Sequence, residues 1–258
     1  MANQPVKFFK NGRNFILLAA AAGMLSMAAP ARAADDAFSP AQKEALGVFI
    51  KDYLVKNPDV VVEALTEYQK KQQGDEQALF SKNFAEKKDA IFNSNAPFVG
   101  PADADVTVVE FFDYNCGYCK KAVDDVVKLL ESDKKLKVIF MDMPILSPTS
   151  QDAARWALAA GKQGKYYDFH VALMKDPGPK NEDGFVAVAK KIGLDTDKMK
   201  KDADSKEIRE TIEKNLSIAR GLGIHGTPGF IIGDILTPGY VGYESMKAGV
   251  DLIRSGKK

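Results

Sequence analysis

The sequence has 258 residues, of which 45% are hydrophobic and 28% charged, and 36 basic residues nearly balance 35 acidic ones for a formal charge of +1. This balance gives no electrostatic basis for binding nucleic acid. The chain has two cysteines, which allow a single intramolecular disulfide.

The first 33 residues have the pattern of an export signal. Basic residues at positions 7, 10 and 13 precede an apolar stretch over residues 15–29, and Ala31-Arg32-Ala33 matches an A-x-A cleavage site. An uncleaved membrane anchor is the alternative, although the apolar stretch is short for a span, which needs about 20 residues. Cleavage near Ala33 would leave 32 basic and 35 acidic residues, a formal charge of −3. We therefore predict a signal peptide over residues 1–33 and export to an oxidising compartment, the bacterial periplasm.

Residues 34–96 are predicted to form helices. Apolar residues recur at helical spacing in three runs, and a polar stretch over residues 69–77 separates the second run from the third. The first two runs each begin with an N-cap residue followed by proline, at Ser39-Pro40 and Asn57-Pro58. These helices have too few apolar residues for a core of their own. They are predicted to pack either on the rest of the chain or on another copy, and self-association is the favoured interpretation.

Residues 97–258 have the pattern of an α/β domain. Residues 106–112 are a near-continuous run of β-forming residues, typical of a strand that is buried on both faces. A helix and a second buried strand over residues 136–143 follow, which together make a βαβ unit. Residues 148–222 are mainly helical. A hairpin is then predicted around Gly233-Asp234, and a last helix over residues 243–255.

The two cysteines, Cys116 and Cys119, lie in the turn after the first predicted strand. Closing so short a loop adds little stability, so the pair is suited to a disulfide that opens and closes during a reaction. Asn115 is predicted to cap the next helix, which places Cys116 where free N–H groups and the helix dipole stabilise a thiolate. Cys116 is therefore the predicted nucleophile, and Cys119 the inward-facing cysteine that resolves a mixed disulfide. A zinc site is the alternative, but the histidines, His170 and His225, lack the spacing of metal ligands, and we predict no metal and no cofactor.

The segment from Val108 to Lys120, VVEFFDYNCGYCK, resembles the active-site segment of the DsbA-like thioredoxin-fold proteins. A second motif, Gly226-Thr227-Pro228-Gly229-Phe230, matches the position at which thioredoxin-like folds carry a cis-proline facing the CxxC. The resemblance covers the chain from about Phe98 onwards. It implies an α/β thioredoxin fold with an inserted helical domain, preceded by an N-terminal helical extension. That extension resembles the one through which members of the Com1-like and ScsC-like subgroup self-associate.

The resemblance also implies roles for individual residues. Cys116 and Cys119 match the attacking and resolving cysteines of a redox-active disulfide, and Tyr118 between them matches a substrate-binding position. Thr227 and Pro228 would bind an extended substrate strand across a cis peptide bond, although an ordinary trans turn is the alternative. Glu110 matches a buried acid that relays the proton of the resolving thiol, and a glutamate facing water is the alternative there.

Three functions are compatible with these motifs: a disulfide isomerase or reductase acting on exported proteins, an oxidase that donates its disulfide, and an oligomeric chaperone-like binding module. Two features favour the isomerase. Gly-Tyr between the cysteines, with threonine before the cis-proline, resembles the dimeric periplasmic isomerases of the DsbC type. An oligomer would also place several active sites around one cleft and shield them from the membrane enzyme that reoxidises monomeric oxidases. The predicted partners are exported thiol or disulfide proteins, a membrane thiol redox partner, and copies of the chain in a dimer or trimer.

Overall fold

The computed structural model describes residues 38–92 and 94–256. The predicted signal peptide, residues 1–33, lies outside them. The chain divides into two compact units between Val62 and Glu63. Within the described ranges, every helix is too short or too polar to cross a bilayer.

The first unit contains helix α1, Pro40–Lys56. Its N-terminus is a capping box, in which Ser39 Oγ accepts the Gln42 N–H at 3.3 Å and the Ser39 N–H donates to Gln42 Oε1 at 2.8 Å. The helix ends at Asn57, whose backbone N–H and side-chain amide both donate to the carbonyl of Tyr53. The predicted helix start at Ser39-Pro40 and the break at Asn57 are therefore confirmed. Every residue of α1 is exposed.

Helix α2, Pro58–Phe92, has 35 residues and includes the polar stretch that separates the second apolar run from the third. The helix continues through residues 69–77 because most of that polar stretch consists of Gln, Lys and Glu, which are good helix formers. Its one glycine, Gly74, costs only about 1 kcal/mol relative to alanine. In the described part of the N-terminal region, the three apolar runs therefore lie on two helices, α1 and α2.

The second unit is built on a five-stranded sheet with the strand order β1-β3-β2-β4-β5. Strands β2 and β3 are parallel, and the other neighbouring pairs are antiparallel. The strands are β1 Phe98–Val99, β2 Val106–Phe112, β3 Leu136–Asp142, β4 Gly229–Ile232 and β5 Ile235–Pro238. Strand β1 was not predicted, because two residues are too few to show a period.

Seven helices of the second unit follow or separate these strands, in the order that the sequence predicts. One lies between β2 and β3, five form the insertion between β3 and β4, and the last follows the hairpin of β4 and β5. They are α3 Gly117–Ser132, α4 Pro148–Gly161, α5 Tyr166–Lys175, α6 Glu182–Lys191, α7 Thr196–Ala203, α8 Lys206–Gly221 and α9 Gly242–Arg254.

Alternate residues of β2 belong to different apolar clusters on the two faces of the sheet. Val108 and Phe112 pack with α3, α9 and the helical insertion, and Glu110 lies between them on this same face. The insertion contributes the only tryptophan, Trp156, whose ring lies 5.6 Å from that of Phe185.

The opposite face of the sheet is covered by α8 and by the C-terminal half of α2. Val109 on this face shares a cluster with three buried residues of α2, which are Phe80, Phe84 and Ile91. The end of α2 is therefore part of the core of the second unit, because its apolar residues complete that face of the sheet.

Candidate active site

Cys116 is itself the N-cap of α3, so the prediction that Asn115 caps this helix is wrong. The Cys119 N–H donates to Cys116 Sγ at 3.4 Å, and both cysteines are free thiols. The side-chain amide of Asn115 is occupied elsewhere: it donates to the hydroxyls at the start of α4, those of Ser147, Thr149 and Ser150, at 2.9–3.0 Å. A backbone N–H group in the first turn of α3 is thus directed at the Cys116 sulfur, which is the arrangement expected from the sequence to stabilise a thiolate there.

The Cys116 thiol faces the loop before β4. Its Sγ donates to the carbonyl of Thr227 at 3.2 Å, and the Thr227–Pro228 peptide bond is cis, as predicted. Strand β4 starts one residue later, where Gly229 pairs with Phe111 of β2. The sheet register therefore brings together two motifs that are separated by more than 100 residues of sequence.

The two thiols differ in their surroundings. Cys116 is 6% exposed and Cys119 is 1% exposed. Burial raises the pKa of the Cys119 thiol far above its ordinary value, the backbone amide of Asp113 opposes that rise, and the neighbouring Cys116 and Glu110 add to it. Cys119 is thus held as a neutral thiol until its proton is removed.

Glu110 is buried beneath the cysteines, with 1% of its surface exposed, and the alternative of a glutamate facing water is wrong. Burial raises the pKa of this carboxyl to about 8. Within the described part of the chain, its Oε2 has no hydrogen-bond partner. A carboxyl group of this kind can hold or release a proton near neutral pH next to the Cys119 thiol.

Tyr118, between the cysteines, is 60% exposed and stacks on Tyr240 with ring centroids 6.2 Å apart. Lys121 Nζ lies 5.2 Å from the Tyr118 ring, and the Tyr240 hydroxyl donates to Asp125 Oδ2 at 2.8 Å. Tyr240 was missed in the sequence because it lies in the loop between β5 and α9, where no periodic pattern marks it.

Asp113 anchors a second exposed edge of the site. Its Oδ2 accepts the backbone N–H groups of Ile145 and Leu146 at 2.9 and 3.0 Å, and its Oδ1 accepts the N–H of Asn115 at 2.7 Å. The Asp-x-Asn pattern of an Asx turn was the signal in the sequence that could have identified it. The Ile145 and Leu146 side chains are 42% and 53% exposed. We refer to Tyr118, Ile145, Leu146 and Tyr240 as the apolar rim.

A group of buried polar side chains lies where β2 and β3 meet the insertion. The Tyr114 hydroxyl and His170 Nδ1 are 3.1 Å apart, and the Tyr166 hydroxyl donates to Asp142 Oδ2 at 2.8 Å. Burial lowers the pKa of His170 to about 3 and raises the pKa of Asp142 to about 7. His170 is therefore a neutral core residue at physiological pH, and its chemistry is not that of a proton carrier.

His225 is exposed in the loop before the cis-proline. It lines a cavity of about 170 Å³ together with Thr227, Pro228 and Leu236. The cavity adjoins the carbonyl that the Cys116 thiol contacts, so it can receive part of a chain bound along this loop.

Comparison with known proteins gives two matches to family models. A model described as a DSBA-like thioredoxin domain matches residues 107–251, and one described as the copper resistance protein ScsC N-terminal domain matches residues 42–74. A thioredoxin-like oxidoreductase from Silicibacter pomeroyi is 43% identical, with a TM-score of 0.63 over 65% of this chain and 97% of that one. The thiol-disulfide exchange protein alpha-DsbA2 from Wolbachia pipientis is 33% identical, with a TM-score of 0.65 over 68% and 96%. A variant of ScsC from Proteus mirabilis is 28% identical, with a TM-score of 0.65 over 86% and 99%.

The curated relatives differ in how much of their length is matched. The chain spans about a quarter of the first ones, the Na(+)/H(+) antiporters NhaA, with 28% identity over 161 residues to the antiporter from Salinispora arenicola. It spans 78% of disulfide bond formation protein D from Bacillus subtilis, at 25% identity over 173 residues.

Proposed function

This chain belongs to the DSBA-like thioredoxin domain family, and from that premise we propose that it is a periplasmic thiol:disulfide interchange protein that isomerises or reduces disulfides in exported proteins. Family membership confirms the predicted thioredoxin fold and the oxidoreductase class of this domain. The direction of disulfide exchange, the periplasmic location of the protein and its self-association are proposed here. The basic and apolar pattern of residues 1–33 supports export.

The observation that carries the proposal is the approach of Cys116 Sγ to the carbonyl next to the cis-proline, at 3.2 Å. An extended substrate that pairs with the backbone of Thr227 would lie with its own sulfur against Cys116. The Thr227–Pro228 loop is thus the surface along which the substrate binds, and Cys116 is the nucleophile. This arrangement would hold the two reacting sulfurs in contact.

In the first step, the Cys116 thiolate attacks one sulfur of a substrate disulfide. A bond forms between Cys116 and that sulfur, and the other substrate sulfur leaves as a thiolate, which takes up a proton. After losing that proton again, the freed sulfur can attack a different disulfide of the same substrate and displace a second substrate thiolate. When that thiolate attacks the substrate sulfur bonded to Cys116, a rearranged substrate disulfide forms and the Cys116 thiolate is released.

Resolution is the second possible fate of the mixed disulfide. Cys119 gives up its proton and attacks Cys116 Sγ, so the Cys116–Cys119 bond forms and the substrate leaves reduced by two electrons. Because Cys119 is buried, this proton needs an internal acceptor. Glu110, ionised above its raised pKa, is the group placed to take it.

The apolar rim supports a polypeptide substrate. Among the described residues from Phe80 onwards, six large apolar side chains are exposed, and four of them are Tyr118, Ile145, Leu146 and Tyr240. Exposed apolar groups concentrated at a reactive thiol favour segments of unfolded or misfolded chains, which expose apolar side chains of their own.

Self-association is supported by α1, whose residues are all exposed, although Leu46, Phe49, Ile50 and Tyr53 share one face. A helix of 17 residues that buries none of its side chains against the described parts of the chain is marginal in water, so another copy of the same helix is the proposed cover. The match of residues 42–74 to the ScsC N-terminal domain supports the same conclusion.

The test uses Cys119→Ser and Cys116→Ser in the full mature chain, assayed on scrambled and on fully reduced ribonuclease. Isomerisation needs only the attacking sulfur, so Cys119→Ser should retain a large part of the activity on scrambled ribonuclease and lose the oxidation of reduced ribonuclease. Cys116→Ser should lose both activities. Full activity of Cys116→Ser would contradict the assignment of the nucleophile. Inactivity of the unmodified protein in both assays would favour the third candidate function, a binding module.

An oxidase is the second candidate, favoured by the similarity to disulfide bond formation protein D. The reduction potential of the Cys116–Cys119 pair separates the two. A value near about −120 mV would identify a strong oxidant, and one near about −270 mV a reductant. A monomer by light scattering would also favour the oxidase, because the active site would not be shielded by neighbouring copies.

A further inference from the structure

Asp113 accepts backbone hydrogen bonds around the reactive turn through three oxygen atoms, its carbonyl oxygen and both oxygens of its carboxylate. Its carbonyl accepts the Cys116 N–H at 3.0 Å. Its two carboxylate oxygens together accept three backbone N–H groups, those of Asn115, Ile145 and Leu146. Asp113 is itself 1% exposed, and it lies between the end of β2 and the first cysteine.

The carboxylate matters because it holds two chain segments with charge-assisted hydrogen bonds, which are shorter and stronger than neutral ones. One segment carries Cys116 and the other carries Ile145 and Leu146. The turn held in this way starts α3, where the Cys119 N–H donates to Cys116 Sγ at 3.4 Å. One side chain therefore anchors the segment that leads into both cysteines.

We propose that Asp113 is a positioning residue for the closure of the Cys116–Cys119 disulfide. It acts through backbone hydrogen bonds and does not touch the substrate. Its effect is to keep the Cys119 sulfur at a high effective concentration toward Cys116, which speeds closure and favours the closed form. The inference rests on the proposed exchange activity of the pair.

The step concerned is the resolution of a mixed disulfide. Cys119 loses its proton to a base and attacks Cys116 Sγ; the Cys116–Cys119 bond forms, the bond to the outer sulfur breaks, and the outer thiolate takes up a proton. With oxidised glutathione as the probe, the two protein sulfurs are oxidised overall and one glutathione disulfide is reduced to two thiols.

The experiment compares Asp113→Ala and Asp113→Asn with the unmodified full chain. The mixed disulfide of Cys116 with glutathione is formed first, and the release of glutathione is then followed by rapid acid quench and mass spectrometry. We expect release to slow about tenfold in Asp113→Ala, the rate equivalent of about one lost hydrogen bond, and by less in Asp113→Asn, which keeps one acceptor oxygen.

An equilibrium measurement accompanies the rates. The constant for forming the Cys116–Cys119 disulfide from oxidised glutathione should fall about tenfold in Asp113→Ala, which converts to a potential about 30 mV less negative. The matched control is Asp195→Ala, which removes a carboxylate that accepts the Lys198 N–H at 2.9 Å in the insertion. The control should lose stability and leave both readouts unchanged.

Release and equilibrium constants within about twofold of the unmodified protein, in a folded Asp113 variant, would overturn the inference and leave the proposed function standing. If Asp113→Ala does not fold, the near-isosteric Asp113→Asn decides by the same criterion. Failure of the unmodified protein to form any mixed disulfide would instead overturn the proposed function, and the inference with it.

Discussion

A buried acid next to a reactive sulfur can take part in catalysis, but it also makes the stability of the fold depend on pH. Glu110 keeps its proton up to about pH 8 in the folded protein, whereas its ordinary pKa is 4.5. Between these two values the folded state binds more protons than the unfolded state, so raising the pH destabilises the fold. The slope amounts to about 1.4 kcal/mol per pH unit where this group alone titrates.

We therefore expect Glu110→Gln to remove this pH dependence. Measured by urea unfolding of the reduced protein, the free energy of unfolding of the variant should rise relative to the unmodified chain by about 1.4 kcal/mol per pH unit between pH 5 and 8. The matched control is Glu131→Gln, which changes an exposed residue of α3. Parallel pH profiles for Glu110→Gln and the unmodified protein would show that the carboxyl is ionised in the fold.

Individual site residues were predicted correctly from the sequence where a motif of residue types identifies them. Hydrogen-bond partners were predicted wrongly where they are distant in sequence. Cys116, Cys119 and Thr227–Pro228 were identified from motifs, and the structure brings them together. Asn115 was assigned the wrong hydrogen-bond partners, because the hydroxyls at the start of α4, to which its amide donates, lie more than 30 residues away in sequence.

At the scale of elements, α1 stands apart because no part of it is buried. Phe49 and Tyr53 stack on each other on the apolar face, with ring centroids 6.4 Å apart. If this face is covered by another copy, acidic side chains there would place unpaired charges in an apolar interface.

The double variant Phe49→Glu, Tyr53→Glu should therefore be a monomer by light scattering, whereas the unmodified protein should be a dimer or trimer. The thermal unfolding of the second unit should change little, because its core contains no residue of α1. Lys51→Glu, on the opposite side of α1, is the control and should keep the assembly. A double variant with the mass of the unmodified protein would place the interface elsewhere.

The strands and helices of the second unit were predicted well because their signals are local. Strand β2 was predicted at its observed limits from a run of β-branched and aromatic residues. The role of α2 was harder to predict, since Phe80, Phe84 and Ile91 fit either a separate helical region or the sheet. Only the three-dimensional arrangement shows that they complete the core under β2.

For the whole molecule, assembly and activity are predicted to be linked. Several Cys116 thiols around one cleft raise the chance that a misfolded chain is attacked again before it escapes. A single site, in contrast, is open to reoxidation and behaves as a donor of disulfides. The direction of exchange is thus expected to depend on the first unit as much as on the residues between the cysteines.

The monomeric double variant tests this link. Its activity on scrambled ribonuclease should fall several-fold, on the order of the loss expected when linked sites become independent, and its oxidation of reduced ribonuclease should stay equal or rise. The Lys51→Glu protein provides the matched reference for both assays. Equal isomerase activity in monomer and oligomer would mean that each site works alone.

The buried Trp156 gives the molecule an optical probe of its own. Its indole lies in α4 against Phe185 of α6, and the same helix α4 begins with the hydroxyl groups that hold Asn115 beside the cysteines. Emission from this single indole therefore reports how tightly the inserted helices are packed. A shift in its emission wavelength on oxidation would mean that forming the Cys116–Cys119 disulfide changes the packing inside the insertion. The amide side chain of Asn115 would link the two places.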